Sequence, residues 1–454
     1  LLRAERRALH ERIASALQER FPEIAAAQPE VVAEHFTKAE IWEPAARCWL
    51  EAGRRAVRGW ALVEAAKHLS EGIRIVRLLP PSPERQRLEL ELHMALGPVM
   101  MGASGYASEA SLEVFQRAEP LVKAVGSVSE HMLTMLGLFN VHYGRAELGP
   151  ALAVAQEYSA LAEHHGLNRG RAHVLLGQTH MAMGAFPDAA REFQRCLDVY
   201  AEMPEDAATL DVFGSQQVVS LAFGAGVHYA LGRAEEGRAA IAQAIAHARQ
   251  TKHPLSIALA LVTDLLTPIP GGLDPDPVRA EEVARFCAEH RLRNFQVWAE
   301  FALGAIVARR GDPPSGIAAM RAAIDTAEGM SSRLFRPTQL GTLAAAHARL
   351  GETDKALSLL DEALATSART GEGRADASLH RLRGELLVAA GDRAGGIEAL
   401  HHALSVARSQ HGKADEARTA TVIARLQPAQ SGRRMVWSVP LAALRAVLAR
   451  LASR

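Results

Sequence analysis

Glycines at positions 144, 184, 232, 311, 351 and 391 each close a helical apolar pattern and open a short polar turn. They stand 40, 48, 79, 40 and 40 residues apart. The stretches "RLGETDKALSLLDEALA" and "AAGDRAGGIEALHHALS" show the unit at its plainest. A chain that repeats one supersecondary unit at such a period stacks the copies, because no single unit can bury its own apolar face. The gap of 79 reads as two periods with a degenerate turn at "PGGLDPDP", residues 270–277. The 48 reads as one period with a short insertion near "EMPEDAATLD".

If the unit is a helical hairpin, small residues must stand wherever two helix axes come close. Seven residues before five of the turns lie Gly177, Ala225, Gly304, Ala344 and Gly384. Five residues after lie Ala189, Gly237, Gly316, Ala356 and Gly396, and twelve after lie Cys196, Ala244, Ala323, Ala363 and Ala403. Nine after the turn, the residues are instead large: Phe193, Ile241, Met320, Leu360 and Leu400. The turn at Gly144 fits less well. Gly137 and Gly149 are small, but Gln156 occupies the third small column. Upstream, one hairpin is expected to turn near Ala39 and another near Gly59, giving nine or ten in all. These columns resemble the tetratricopeptide repeat, with its Trp and Tyr mostly absent and its period stretched to about 40 residues. The expected fold is therefore all-α: a right-handed superhelical solenoid of antiparallel hairpins.

The bulk numbers agree and narrow the functions. The chain has 454 residues and only 5% aromatic side chains, an Ala- and Leu-rich balance suited to packed helices. Lys plus Arg and Asp plus Glu number 51 each, so no general attraction to nucleic acid is expected. Cys48, Cys196 and Cys287 are widely spaced and read as packed thiols of a reducing, cytoplasmic compartment. No apolar run reaches the ~18 residues of a spanning helix. The opening "LLRAERRALHERIASAL" lacks Met and is already in helical rhythm, as in a piece of something longer.

Whole stretches carry a wider resemblance. "RRALHERIASALQERFPEIAAAQPEVVAEHFTKAEIWEPAARCWLEAGRRAVRGWALVEAAKHLSEGI" resembles the helical region following the ATPase module of large bacterial signalling proteins, and "HPLSIALAL" and "LHRLRGELLVAAGD" resemble the same family's repeat array. Those proteins join a class III adenylate or guanylate cyclase, an AAA (STAND-type) ATPase and a tetratricopeptide-like array. The resemblance implies a helical region over residues 1–79 and a repeat array over 83–426, while residues 427–454 depart from it and read by composition as a separate basic amphipathic tail. "LLPPSP" marks the first boundary, since Pro cannot continue a helix. It also implies a non-catalytic sensor and protein-interaction arm, with ATP and Mg²⁺ belonging only to domains before Leu1. The chain itself has no G-x-x-x-x-G-K-[ST] phosphate cradle.

His164-His165 and His401-His402 point apart on a helix and lack the partners of a metal shell, so no metal or other cofactor is expected. Asp274 and Asp276 sit between prolines, as in an exposed loop, and no catalytic residue is assigned. Outward positions on the first helix of each hairpin would line a groove. The register places His131, Arg171, Gln178, Tyr229, Trp298, Phe301 and Arg381 there. Trp298 and Phe301 have two readings: ligand contact, or packing between neighbouring first helices. The expected partner is a protein or peptide, or a small effector, together with the upstream domains. A membrane is not expected, although the tail's leucine face and seven arginines after Glu416 suit either an anionic surface or a capping helix. Two other functions stay open: the sensor arm of a MalT-like transcription activator, and an all-α (α/α-toroid) enzyme, which would need convergent carboxylates.

Overall fold

A computed structural model describes residues 3–59, 61–202, 214–267 and 277–426. The described residues form 22 α-helices and no sheet. Three helices open the chain: α1 (Arg3–Arg20), α2 (Pro22–Ala27) and α3 (Pro29–Lys38). The hairpins follow as α4 (Trp42–Arg58) with α5 (Leu62–Val76), α6 (Pro83–Ser104) with α7 (Glu109–Val125), and α8 (Val128–Gly144) with α9 (Leu148–His165). Next come α10 (Arg169–Met183) with α11 (Phe186–Ala201), α12 (Gln216–Ala230) with α13 (Ala234–Thr251), and α14 (Pro254–Leu266) with α15 (Pro277–Glu289). The last three pairs are α16 (Arg293–Arg309) with α17 (Pro313–Gly329), α18 (Arg336–Arg349) with α19 (Thr353–Thr370), and α20 (Asp376–Ala389) with α21 (Arg393–Ser409). A single helix, α22 (Lys413–Leu426), packs on the last pair.

Local chemistry sets the helix ends. Ser82, Ser108, Ser127, Ser215, Asp312 and Asp392 each cap a helix by accepting a backbone N–H three residues on. At the other end, Gly184 and Gly232 adopt φ +80° and +79°. In each case the glycine N–H and the N–H after it bond back into the last helical turn. That is a left-handed stop, for which glycine has no steric cost.

The small columns lie where close packing requires them. Ala225, Ala344, Ala189, Ala356, Cys196, Ala244, Ala363 and Ala403 are fully buried, and so is the large column from Phe193 to Leu400. A Cβ placed on Gly316 would lie 2.5 Å from the Ala308 nitrogen and 2.5 Å from the Gly304 oxygen. Backbones touch there, and no side chain fits between them.

The register of the Gly144 turn needs correction. Gly144 is the last residue of α8, and the left-handed residue is Ala146, at φ +60°. Shifted by two, the column five after the turn becomes Ala151, fully buried, whereas Gly149 is exposed with nothing near it. Ala155 and Tyr158 then exchange the small and large roles. Gln156 was never a core position; it is exposed.

The array also meets itself. The N–H groups of Arg333 and Leu334, before α18, donate to the Gly144 carbonyl at the end of α8, at 2.8 and 3.1 Å. Gly373, before α20, approaches the Met183 carbonyl at the end of α10. The Gln410 amide next to α22 donates to the Gly373 carbonyl at 2.7 Å and abuts Gly184. Lys413, opening α22, packs on Gly232 at the end of α12. The contacts at Gly144, Met183 and Gly232 each join a first helix to the one five hairpins later, so the solenoid completes a turn in five hairpins and its successive turns touch. The expected degenerate turn at 270–277 and the tail at 427–454 fall outside the described residues, apart from Pro277 at the start of α15.

Two substitutions test the columns with opposite signs. Gly316→Val should destabilise the chain by about 3 kcal/mol through overpacking. Gly149→Ala, in open space on a helix, should be neutral or stabilising by about 0.5 kcal/mol. Urea denaturation of both variants gives the comparison; similar losses in the two would refute this assignment of the columns.

Candidate functional site: an axial cavity

Because the solenoid closes, its first helices face one another across the axis. One full turn of them, α10, α12, α14, α16 and α18, surrounds a cavity of about 60 Å³. Phe223, Trp298, Phe301 and Phe335 supply most of its apolar wall. Phe335 sits just before α18 in a left-handed conformation, φ +63°. That geometry sets its ring edge-on to Trp298, with centroids 5.4 Å apart, and beneath the Arg374 guanidinium at 5.0 Å.

Arg374 is the cavity's charge. It comes from the short 3₁₀ turn Gly373–Ala375, outside every hairpin, and is carried to the axis by the contact of that turn with α10. The described residues place no hydrogen-bond acceptor on its guanidinium, and burial pulls its pKa down. Threonines complete the lining. The Thr267 hydroxyl donates to the Thr263 carbonyl and the Thr342 hydroxyl to the Thr338 carbonyl, so both present oxygen lone pairs to a ligand. No carboxylate lines the cavity.

Glu372 lies behind this wall. It is 2% exposed; one oxygen accepts the Phe335 N–H at 2.5 Å and the other has no partner. Burial raises its carboxyl to about 7 against the Phe335 hydrogen bond and the attraction of Arg374 and Arg336.

A second, wider space of about 360 Å³ continues from the first, sharing Thr338 and Thr342. Arg309, Arg349 and Arg381 line it, with no acidic residue among its walls. The Arg381 guanidinium pairs with Glu385 at 2.5 Å.

The residues expected at the groove are thus distributed unevenly. Trp298 and Phe301 share the axial cavity, and Arg381 lines the adjoining space. Arg171 does not face the groove. It is 7% exposed, buried near Tyr158 and Tyr200 of the second helices α9 and α11. Tyr229 packs on Gly237 within its own hairpin. His131 and Gln178 are half-buried and line neither space. The Gln178 carbonyl accepts the Tyr143 hydroxyl at 3.2 Å. Arg374 escaped the sequence reading because it belongs to a connection, "GEGRAD", with no column to align it. His164 and His165 stack edge-on to each other, and no group of three metal-ligating side chains occurs among the described residues. Asp274 and Asp276 lie outside them. Among the described residues no helix is long and apolar enough to cross a membrane.

No family model matches the chain. An uncharacterized protein of Rhizobium meliloti (strain 1021) is 22% identical over 422 residues, covering 90% of this chain. The chain spans about 40% of that relative's length. Among solved structures, a Rap protein complexed with competence and sporulation factor is similar at 12% identity and a TM-score of 0.56. The alignment covers 84% of this chain and 99% of that one. The Rap conjugation gene regulator of plasmid pLS20, in complex with the Phr* peptide, aligns over 67% of this chain and 77% of that one. It does so at 16% identity with a TM-score of 0.48. The chain is a tetratricopeptide-like helical-repeat protein in fold.

Glu372 predicts a pH signature. Its folded pKa lies above the unfolded value, so its contribution is complete below pH ~4.5 and is lost as pH rises through ~7. Glu372→Gln keeps the acceptor for Phe335 and removes the titration. Relative to the parent chain, the variant should gain on the order of 2 kcal/mol between pH 5 and 8. Parallel stability profiles for the two chains would contradict the burial of this carboxyl.

Proposed function

We propose that the chain is a non-catalytic recognition arm of a larger cytoplasmic signalling protein, binding a protein or peptide on its concave surface. The observation that carries this is the convergence of five first helices on one axial cavity with aromatic walls, one arginine and no carboxylate. Aromatic and Arg side chains give contact area and directed donors at small entropic cost. A glycosidase of the α/α-toroid kind needs two carboxylates flanking its substrate, and this lining favours binding instead. The Rap structure, held with competence and sporulation factor, supports a regulatory role for a solenoid of this shape.

The resemblance of residues 1–426 to cyclase–ATPase signalling proteins supports an arm that reports to an upstream ATPase or cyclase. In that arrangement residues 1–79 join the ATPase to the array, and ATP and Mg²⁺ are bound only upstream. A relative more than twice as long is consistent with a parent of several domains. A ligand that prefers one curvature of the array would shift it toward that curvature, and so act on the upstream module. No observation favours the MalT-like arrangement over this one.

In the full-length parent, nucleotide turnover should depend on the array. Removing residues 83–426, or introducing Trp298→Ala with Phe301→Ala, should change the basal rate at least threefold. An unchanged rate in both would contradict the proposal.

A further inference from the structure

The chain carries 51 basic and 51 acidic residues, yet two adjoining spaces among its first helices are lined by charge of one sign. The axial cavity and the space beside it are lined by Arg374, Arg309, Arg349 and Arg381 and by no Asp or Glu. Of these, Arg381 has a carboxylate partner, Glu385, and Arg349 donates to the Arg309 carbonyl at 2.8 Å. Arg374 has the face of Phe335 beneath it and Glu372 and Tyr143 as electrostatic neighbours, with no acceptor bonded to its guanidinium. A guanidinium offers five donors in a planar fork that matches a carboxylate. With no acceptor bonded to it, the Arg374 fork is open to the carboxylate of a ligand.

The remaining lining specifies what the anion is attached to. Phe223, Trp298 and Phe301 make an apolar wall. The Thr267 and Thr342 hydroxyls already donate to their own helices, so they can only accept. A ligand for this site therefore needs a carboxylate for Arg374, an apolar body for the rings and N–H groups for the threonines. Peptide chains have all three. At about 60 Å³ the cavity holds one residue's end group, roughly the space of four to six waters. The adjoining 360 Å³ receives the residues before it.

Resting on the reading of the concave face as a peptide-binding surface, we propose that this chain selects short acidic peptides, with an apolar C-terminal residue in the axial cavity and its free carboxylate on Arg374. Acidic side chains further back meet Arg309, Arg349 and Arg381. Glu372 does not line the cavity and one of its oxygens is held by the Phe335 N–H, so it stands behind the site and not in the ligand's path.

Calorimetric titration of the 454-residue chain tests this with N-acetyl hexapeptides of four Asp or Glu residues ending in Leu-Leu or Leu-Phe. Three controls accompany them: the C-terminal amides, the Asn/Gln analogues, and inorganic pyrophosphate. The free-acid peptides should bind at least tenfold more tightly than their amides and than the neutral analogues. Arg374→Met should abolish the preference for the free acid, and Arg349→Ala should weaken the acidic peptides alone. Should Arg374→Met fail to fold, Arg374→Lys retains the charge without the fork and should lose at least threefold. Equal binding of acid and amide, no binding of any free-acid peptide at millimolar concentration, or Arg374-dependent binding of pyrophosphate in preference to the peptides would each overturn the proposal. Array-dependent turnover in the parent survives any of these results, so a failed ligand class is distinguishable from a failed recognition arm.

Discussion

Backbone-to-backbone contact between paired helices is the constraint on which the rest of the molecule depends. At Gly304 and Gly316, and again at Gly384 and Gly396, each glycine's missing Cβ would fall on the partner's carbonyl oxygen. Such contacts fix how closely the two helices of a pair approach, and hence how each hairpin stacks on the next. A solenoid's curvature is the sum of these small, repeated rotations. Here the sum brings the chain back onto itself after five hairpins, and the axial cavity is a consequence of that return.

Closure turns local packing into a site. Gly144, Met183 and Gly232 belong to turns that any helical repeat would have, yet each meets a connection far along the sequence. Those contacts bring Phe335 and Arg374, neither of them inside a regular column, to the centre of a ring of first helices. Thus Phe223, Trp298 and Phe301 come from the repeats, and Phe335 and the charge from between them. A change in curvature would move the two relative to each other, which is how occupancy and shape can be coupled.

The hairpins were legible in the sequence because their determinants are local and periodic: a glycine at a left-handed stop, small residues at fixed offsets, a large residue nine beyond. Where a determinant was replaced, the reading slipped. Ala146 takes the left-handed position that glycine holds elsewhere, so the nearby Gly144 mimics the stop two residues early and Gly149 falls at the offset of a packing position while facing open space. The site was less legible. Trp298 and Phe301 could be placed on an inner face from helical spacing alone. Arg171 occupies the equivalent offset to Trp298 but is buried in the packing near Tyr158 and Tyr200. Arg374 and Glu372 depend on contacts more than 35 residues apart in sequence, which no single-repeat pattern encodes.

A closed axis and its cavity exist only if successive turns of the solenoid touch. Hydrogen exchange of the segment spanning Arg333 and Leu334 measures this directly, since both amides donate to the Gly144 carbonyl across the turn. Protection at these two positions comparable to that of the neighbouring helix α18 is the predicted result. Exchange at the rate of an unprotected connection would mean an open array, with no closed axis and no cavity at its centre.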